Sequence, residues 1–167
     1  ASISLDGDSN GDGAGADYCY LHHDTAGILN IVQDSPSGTN EIRFGTAGTE
    51  DKVVINASGH LGVGTTSPSS LVEMQGGLTT TGAVLTLATK EPSVVANDVL
   101  GQINFQAPLD TGADSDLVGA SIQALATDTF SDTVNKTDLV FMTGASEVAT
   151  EKMRITSAGN VGIGNNS

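Results

Sequence analysis

Residues 151–167, EKMRITSAGNVGIGNNS, are the main indication of the fold, because they repeat an earlier stretch at a spacing of one hundred residues. Residues 51–67 read DKVVINASGHLGVGTTS, and we call the two stretches the first and second copies of the repeat. Their coinciding positions are Ile55 with Ile155, Gly59 with Gly159, Leu61 with Val161, Gly62 with Gly162, Val63 with Ile163, and Gly64 with Gly164. Such self-similarity predicts two related structural modules in tandem.

Each copy has the pattern of a β-hairpin. Apolar and polar residues alternate at 153–156, which is typical of a half-buried strand. Residues 157–160, SAGN, are rich in turn formers, and residues 161–164 place branched side chains on one face and glycine on the other. Glycine weakens a strand unless another backbone approaches that face closely. The glycines therefore favour an intertwined or tightly stacked oligomer.

The rest of the chain predicts more strands. Strand-like runs precede the two copies at residues 41–44 and 138–141. A further strand is predicted at residues 99–106, where Val99, Ile103 and Phe105 share one face with Gly101, and another at residues 119–124. No segment has a helical period over eleven or more residues, and the spacings are typical of an antiparallel meander. The predicted fold class is all-β, with modules at residues 1–76 and 77–167.

Composition and charge narrow the function. The chain has 167 residues, of which 38% are apolar and only 4% aromatic, so its core is thin and leaves sheet faces that need a partner. Six basic and twenty acidic residues give a net charge of −14, which excludes a nucleic-acid binder and disfavours an anionic membrane surface. No apolar run reaches the roughly 18–20 residues that span a bilayer.

Several runs resemble motifs of tail fibre proteins of tailed bacteriophages, especially those of marine and cyanobacterial hosts. They are EKMRITSAGNVGIG, SGHLGVGTTSP, VLGQINFQAP, VGASIQALATDTFSD and DLVFMTG, which together span about residues 40–68 and 95–167. The resemblance implies a homotrimeric, intertwined β-rich fibre shaft or knob on the virion, of a kind often followed by an intramolecular chaperone. Its implied partners are other copies of itself, further fibre or baseplate proteins, and a host surface glycan or protein.

The function expected on this basis is structural and adhesive: a virion fibre segment that presents a host-recognition surface or acts as a shaft spacer, on the tail or on the head or neck. Exposed loops at Asp110–Asp116 and Phe130–Lys136 are candidates for glycan contact, because surface loops often carry binding residues. The alternative is a calcium-dependent β module of a secreted bacterial adhesin or surface layer.

Calcium is suggested by the acidic run at residues 6–17, DGDSNGDGAGAD. Asp6, Asp8 and Asn10 hold the first, third and fifth places of a calcium loop, the carbonyl of Asp12 the seventh, and Asp17 the twelfth. Asp17 reaches less far than the usual glutamate, and the flanking residues are strand-like. The other interpretation is an acidic hairpin loop whose side chains satisfy turn geometry.

Other candidate sites are weaker. His22 and His23 are adjacent, so on a strand they point to opposite faces, and His60 lies in a turn far along the chain. Cys19 is the single cysteine and is expected to be half-buried. No Gly-x-Ser-x-Gly motif is present, and tryptophan, the usual platform for sugar rings in sugar-cleaving tailspikes, is absent. We therefore expect no enzymatic activity and no cofactor apart from the calcium considered above.

Overall fold

The computed structural model describes residues 2–6, 18–34, 40–77, 80–107, 116–145 and 147–164. Over these residues the chain forms β-strands and no helix, so the all-β prediction is confirmed. The strands are β1 Ser2–Asp6, β2 Tyr18–His23, β3 Leu29–Asp34, β4 Ile42–Thr46, β5 Thr49–Ile55, β6 Leu61–Val63, β7 Val72–Met74, β8 Val99–Gln106, β9 Val118–Ala126, β10 Thr137–Thr143, β11 Thr150–Ile155 and β12 Val161–Ile163. Within the described ranges, no helix is available to cross a membrane.

The chain divides into two compact units, Ala1–Val84 and Leu85–Ser167, and each contains one copy of the repeat. The first unit holds an antiparallel sheet of order β1-β2-β3 and a four-stranded sheet of order β4-β5-β6-β7. The second unit holds one five-stranded sheet of order β12-β11-β10-β9-β8, in which every neighbouring pair is antiparallel. The predicted meander is therefore confirmed in the second unit.

One detail of the predicted β8 face is wrong. The register shifts between Val99 and Gly101, so that Val99 lies opposite Leu125 while Gly101 lies opposite Ala124. Leu125 and Ala124 are consecutive residues and point to opposite faces. A β-bulge at Leu100 therefore moves Val99 off the face that Gly101, Ile103 and Phe105 share.

The two copies of the repeat have the same pairing register. In the first unit β4-β5-β6 aligns Ile42 with Ile55 and Leu61, and in the second unit β10-β11-β12 aligns Leu139 with Ile155 and Val161. Three backbone hydrogen bonds close the hairpin in each copy. In the first copy the N–H groups of Asn56, Gly59 and Gly64 donate to the carbonyl oxygens of His60, Asn56 and Lys52, at 3.0, 2.8 and 3.0 Å. The equivalent bonds of the second copy join Thr156 to Asn160 at 2.9 Å, Gly159 to Thr156 at 2.8 Å and Gly164 to Lys152 at 2.8 Å.

The β6–β7 pair is parallel, which departs from the predicted antiparallel modules. Its connection doubles back over β6, so a Cβ added at Gly62 would lie 2.5 Å from the carbonyl oxygen of Thr65. A Cβ at Gly64 would lie 2.0 Å from the carbonyl oxygen of Gln75. The close backbone approach that the glycines predict is therefore present in the first copy, but the same chain supplies it. These glycines carry no argument for an oligomer.

The core is thin, as the composition predicts. Among the described residues, the buried apolar side chains are Val54, Ala126, Val140 and Ala149. In the four-stranded sheet Val54 on β5 lies between Arg43 on β4 and Gly62 on β6. In the five-stranded sheet Val140 on β10 lies between Gln123 on β9 and Arg154 on β11. A long polar side chain, Arg43, flanks Val54 on one side, whereas Val140 has such neighbours, Gln123 and Arg154, on both sides. Each sheet therefore buries its central valine on its polar face.

Candidate functional site

The four-stranded sheet has two neighbouring rows of apolar side chains on one face. Register places Ile42, Ile55, Leu61 and Val72 in one cross-strand row and Phe44, Val53, Val63 and Met74 in the next. We call these eight residues the first apolar face. Residues directly opposite one another in a sheet share a face, so the rows are contiguous. Phe44 is 49% exposed and Val72 is 61% exposed, so the described residues of the unit do not cover this face.

The five-stranded sheet repeats this arrangement with equivalent residues. One row is Gly101, Ala124, Leu139, Ile155 and Val161, and the next is Ile103, Ile122, Phe141, Met153 and Ile163. We call these ten residues the second apolar face. Its outer members remain open: Ile103 is 44% exposed and Ile163 is 75% exposed. Neither face contains a charged residue. Contiguous apolar surface of this kind is typical of a protein–protein contact.

An extended segment, residues 85–90, lies on part of the second apolar face, and we call it the strap. A Cβ added at Gly101 would lie 2.8 Å from the Cβ of Leu87 and 3.2 Å from its carbonyl oxygen. Leu85, Leu87, Ile103, Ile122 and Leu139 line an open hollow of about 220 Å³ beside this contact. The side chain missing from Gly101 therefore lets the strap approach the sheet. The sequence prediction missed this segment, although its Leu-Thr-Leu alternation is a strand pattern.

The opposite face of the five-stranded sheet carries an ion-pair network. Arg154 donates through Nε and Nη2 to the two carboxylate oxygens of Glu151, at 2.7 and 2.6 Å, and through Nη1 to Asp138 at 2.7 Å. The other oxygen of Asp138 accepts the backbone N–H of Ser157 at 2.8 Å. Hydrogen bonds from Arg154 hold the pKa of Glu151 below its ordinary value, and the two carboxylates raise the pKa of Arg154. These contacts join β10, β11 and the following turn, so the network has a structural role.

The calcium prediction falls mostly outside the described residues. Asp8, Asn10, Asp12 and Asp17 lie in a range that the structure does not describe, and Asp6 is described only as the last residue of β1, opposite Tyr18. Within the described ranges, no group of three histidine, cysteine or acidic side chains is arranged to hold a metal ion. Calcium at residues 6–17 stays a prediction.

The histidines do not converge. His22 and His23 are exposed on β2, where they lie opposite Asn30 and Leu29. Asp24 closes the following turn: its Oδ1 accepts the N–H groups of Ala26 and Ile28, both at 2.9 Å, and the bond from Ile28 lowers the pKa of Asp24. His60 is half-buried, with Nδ1 3.2 Å from the carbonyl oxygen of Pro68. Each of these polar contacts belongs to a turn.

The predicted glycan loops differ in how far they are described. Of Asp110–Asp116 only Asp116 is described, and its Oδ1 accepts Gln106 Nε2 at 3.1 Å. Phe130–Lys136 is described in full. Its end forms, with the β11–β12 turn, a shallow hollow lined by four polar residues and one alanine, which we call the polar hollow: Asn135, Lys136, Thr137, Ser157 and Ala158. The amide, ammonium and hydroxyl groups around this hollow are hydrogen-bonding groups that suit a polar ligand.

The remaining resolved pKa shifts have local structural causes. The pKa of Glu73 is lowered by hydrogen bonds from the backbone N–H and hydroxyl of Ser69, and that of Asp128 by a hydrogen bond from Lys136. Both carboxylates lie at the surface and accept hydrogen bonds from residues of the adjacent loop. Cys19 is a free, half-buried thiol, as expected. The two carboxylates, Glu73 and Asp128, therefore stabilise local loop structure.

The candidate functional surfaces of the described residues are therefore the two equivalent apolar faces, the strap and the polar hollow. A scan against protein-family models gave no match, and a search of curated proteins found no significantly similar sequence.

Proposed function

We propose that this chain is a segment of a homotrimeric virion fibre, with a structural and adhesive role and no catalytic one. The observation that carries the proposal is the pair of partly exposed apolar faces at equivalent positions of the repeat. Burying apolar surface contributes about 25 cal/mol per Å², so covering these faces would stabilise the chain. The resemblance to phage tail fibres supports the trimer and the virion location.

Other copies of the same chain are the partner that fits these faces best. The chain carries a net charge of −14, so two copies repel each other unless the surfaces that meet are uncharged. Both apolar faces meet this condition. The acidic groups then remain on the outside, where they keep a long assembly soluble and oppose its lateral association. Further fibre or baseplate proteins are the proposed partners at the ends.

The test of the oligomer is the native mass by light scattering, in buffer with calcium and again with EGTA. We expect a mass near 50 kDa, which is three times the 16.8 kDa of one chain, in both conditions. A monomer in both conditions contradicts the proposal. A monomer that loses stability only in EGTA supports instead the calcium-dependent adhesin module, with Asp6–Asp17 as its site.

The adhesive part of the proposal rests on the loop Phe130–Lys136 and on the polar hollow, which is lined by residues 135–137 and 157–158. A host surface glycan is the proposed ligand, because the lining offers hydrogen-bonding groups of both polarities. We expect binding on a glycan array that is lost when residues 130–136 are replaced by a glycine-serine loop of equal length. A trimer that binds no glycan acts as a shaft spacer, and the host-recognition part of the proposal is then wrong.

A further inference from the structure

The strap, residues 85–90, has the sequence pattern of a β-strand but pairs with none of the described strands. Its sequence, LTLATK, alternates apolar and polar residues over its first three positions and is rich in threonine and leucine. Its backbone N–H and C=O groups make no hydrogen bond to the described part of the chain. Leu85 is 60% exposed and Leu87 is 45% exposed, although both are large apolar side chains. A segment with a strand pattern and unpaired backbone N–H and C=O groups can pair with another strand.

The β8 strand has an edge that is open for such pairing. This strand, VLGQINFQ, is an end strand of its sheet and pairs only with β9 among the described strands. It is eight residues long and contains no charged residue and no proline. Proteins protect exposed edges with charges, prolines or short strands, and β8 has none of these devices. Its outer row of backbone groups is therefore open to another strand.

The strap does not pair with the β8 edge of its own chain. Leu87 lies against Gly101 from above the sheet, with its Cβ 2.8 Å from the position of an added Cβ. A Cβ points out of the sheet plane, whereas a pairing strand must lie within that plane, beside the edge. In the described structure the strap therefore crosses the face of β8 and leaves the edge free.

We infer that the strap of one copy pairs as an added β-strand with the β8 edge of a second copy. This inference rests on the proposed oligomer and names the contact that links its chains. The two segments together carry a single charge, on Lys90, so their contact avoids the repulsion that a net charge of −14 produces elsewhere. Main-chain hydrogen bonds would satisfy the strap, and Leu85 and Leu87 would fill apolar surface beside Ile103.

The test is hydrogen–deuterium exchange on the intact particle, read together with its mass. We expect the amides of residues 86–90 to exchange roughly a hundredfold more slowly than in an unstructured peptide of the same sequence. A particle of three chains whose strap amides exchange at the peptide rate overturns the strap inference and leaves the proposed oligomer standing. A monomeric mass overturns both, so the two failures are distinguishable.

A cross-link identifies the strand that the strap pairs with. In a Cys19→Ser background, Thr86→Cys and Gln102→Cys are placed in separate chains that carry different tags and are assembled together. Oxidation is expected to give a covalent dimer that carries both tags. The matched control replaces Gln102→Cys by Thr133→Cys, on an exposed loop, and is expected to give none. Equal yields from the two pairs contradict pairing at β8.

Discussion

Arg154 and Val54 occupy the same position in the two copies of the repeat, and the arginine–valine pair of each copy is exchanged between strands. In the first copy Arg43 on β4 lies opposite Val54 on β5, whereas in the second Val140 on β10 lies opposite Arg154 on β11. The acidic partner keeps its place: Glu41 binds Arg43, and Asp138, which precedes Val140 by two residues, binds Arg154. Each copy thus keeps one buried valine and one ion-paired arginine on the polar face, with the strands interchanged.

The ion pair of the second copy is a strong local determinant of stability. Asp138 is only 5% exposed and accepts hydrogen bonds from both Arg154 and the Ser157 backbone. We expect Asp138→Ala to lower the free energy of unfolding by about 3 kcal/mol, because it leaves a guanidinium and a backbone N–H without that acceptor. Denaturant unfolding measures the change.

The matched control for Asp138→Ala is Asp128→Ala. Asp128 also forms an ion pair, with Lys136 at 2.9 Å, but both side chains are largely exposed. Exposed ion pairs contribute about 0–1 kcal/mol, so we expect little change. Equal losses in the two variants would show that burial of the Asp138 network does not matter.

The pH dependence follows from Glu151. Its pKa lies below the ordinary 4.5 in the folded chain, because Arg154 donates hydrogen bonds to the carboxylate. A lowered pKa stabilises the fold above the unfolded-state value, and that contribution is lost as the pH falls through the folded-state value. Glu151→Gln should therefore cost about 1–2 kcal/mol at neutral pH, and the difference from wild type should shrink below pH 4.5.

The measurement is urea unfolding of wild type and Glu151→Gln at a series of pH values. The comparison between the two proteins removes the effect of the other acidic groups, which titrate in both. A difference that stays constant down to the lowest pH at which the protein folds would contradict a role for the Glu151 carboxylate.

Gly64 and Gly164 provide a matched pair for the backbone. Both lie at the same position of the repeat, with φ of 75° and 73°. A Cβ at Gly164 meets nothing within 4 Å, whereas at Gly64 it meets the carbonyl oxygen of Gln75 at 2.0 Å. We expect Gly164→Ala to cost about 1–2 kcal/mol from the left-handed conformation alone. Gly64→Ala should cost clearly more, since it also forces β7 away.

Thermal unfolding of the two glycine variants, with the wild type beside them, measures this difference. Local exchange of the Gln75 amide is the second readout, because this amide donates to the Val63 carbonyl at 2.8 Å in wild type. If the two variants lose the same stability, then the β6–β7 contact does not hold Gly64 in place.

The apolar faces are tested by a charge. Ile103 lies at the β8 end of its row in the second apolar face and is 44% exposed, so glutamate fits there without disturbing a buried side chain. We expect Ile103→Glu to shift the particle to monomers, because assembly would bury several like charges. Thr133→Glu, on an exposed loop, adds the same charge elsewhere and should leave the mass unchanged. Light scattering reads both, and an intact Ile103→Glu oligomer would contradict a contact at this face.

Much of the secondary structure was predictable from local pattern. The hairpins of both copies follow from alternating residues and from glycine at turn positions, and Gly59 and Gly159 indeed have φ of 77° and 86°. Each of these signals lies within a few consecutive residues, so one sequence is enough to detect it.

What long-range pairing decides was not predictable. The bulge at Leu100, the parallel β7 and the exchange of Arg43 and Arg154 between strands depend on which strands meet, and in what register. The candidate calcium residues stay a sequence prediction, because all but Asp6 lie outside the described ranges.

The all-β class, the hairpin repeat and the shortage of apolar residues follow from the sequence alone, because composition and period-two alternation can be read from the chain without knowing which strands meet. The alignment of the apolar residues of four or five strands into one partly exposed face in each unit is a property of the tertiary structure. So is the close approach to Gly62, which comes from the same chain. The physical reason is that alternation assigns a residue to one side of its strand, whereas strand order and register determine what lies on that side.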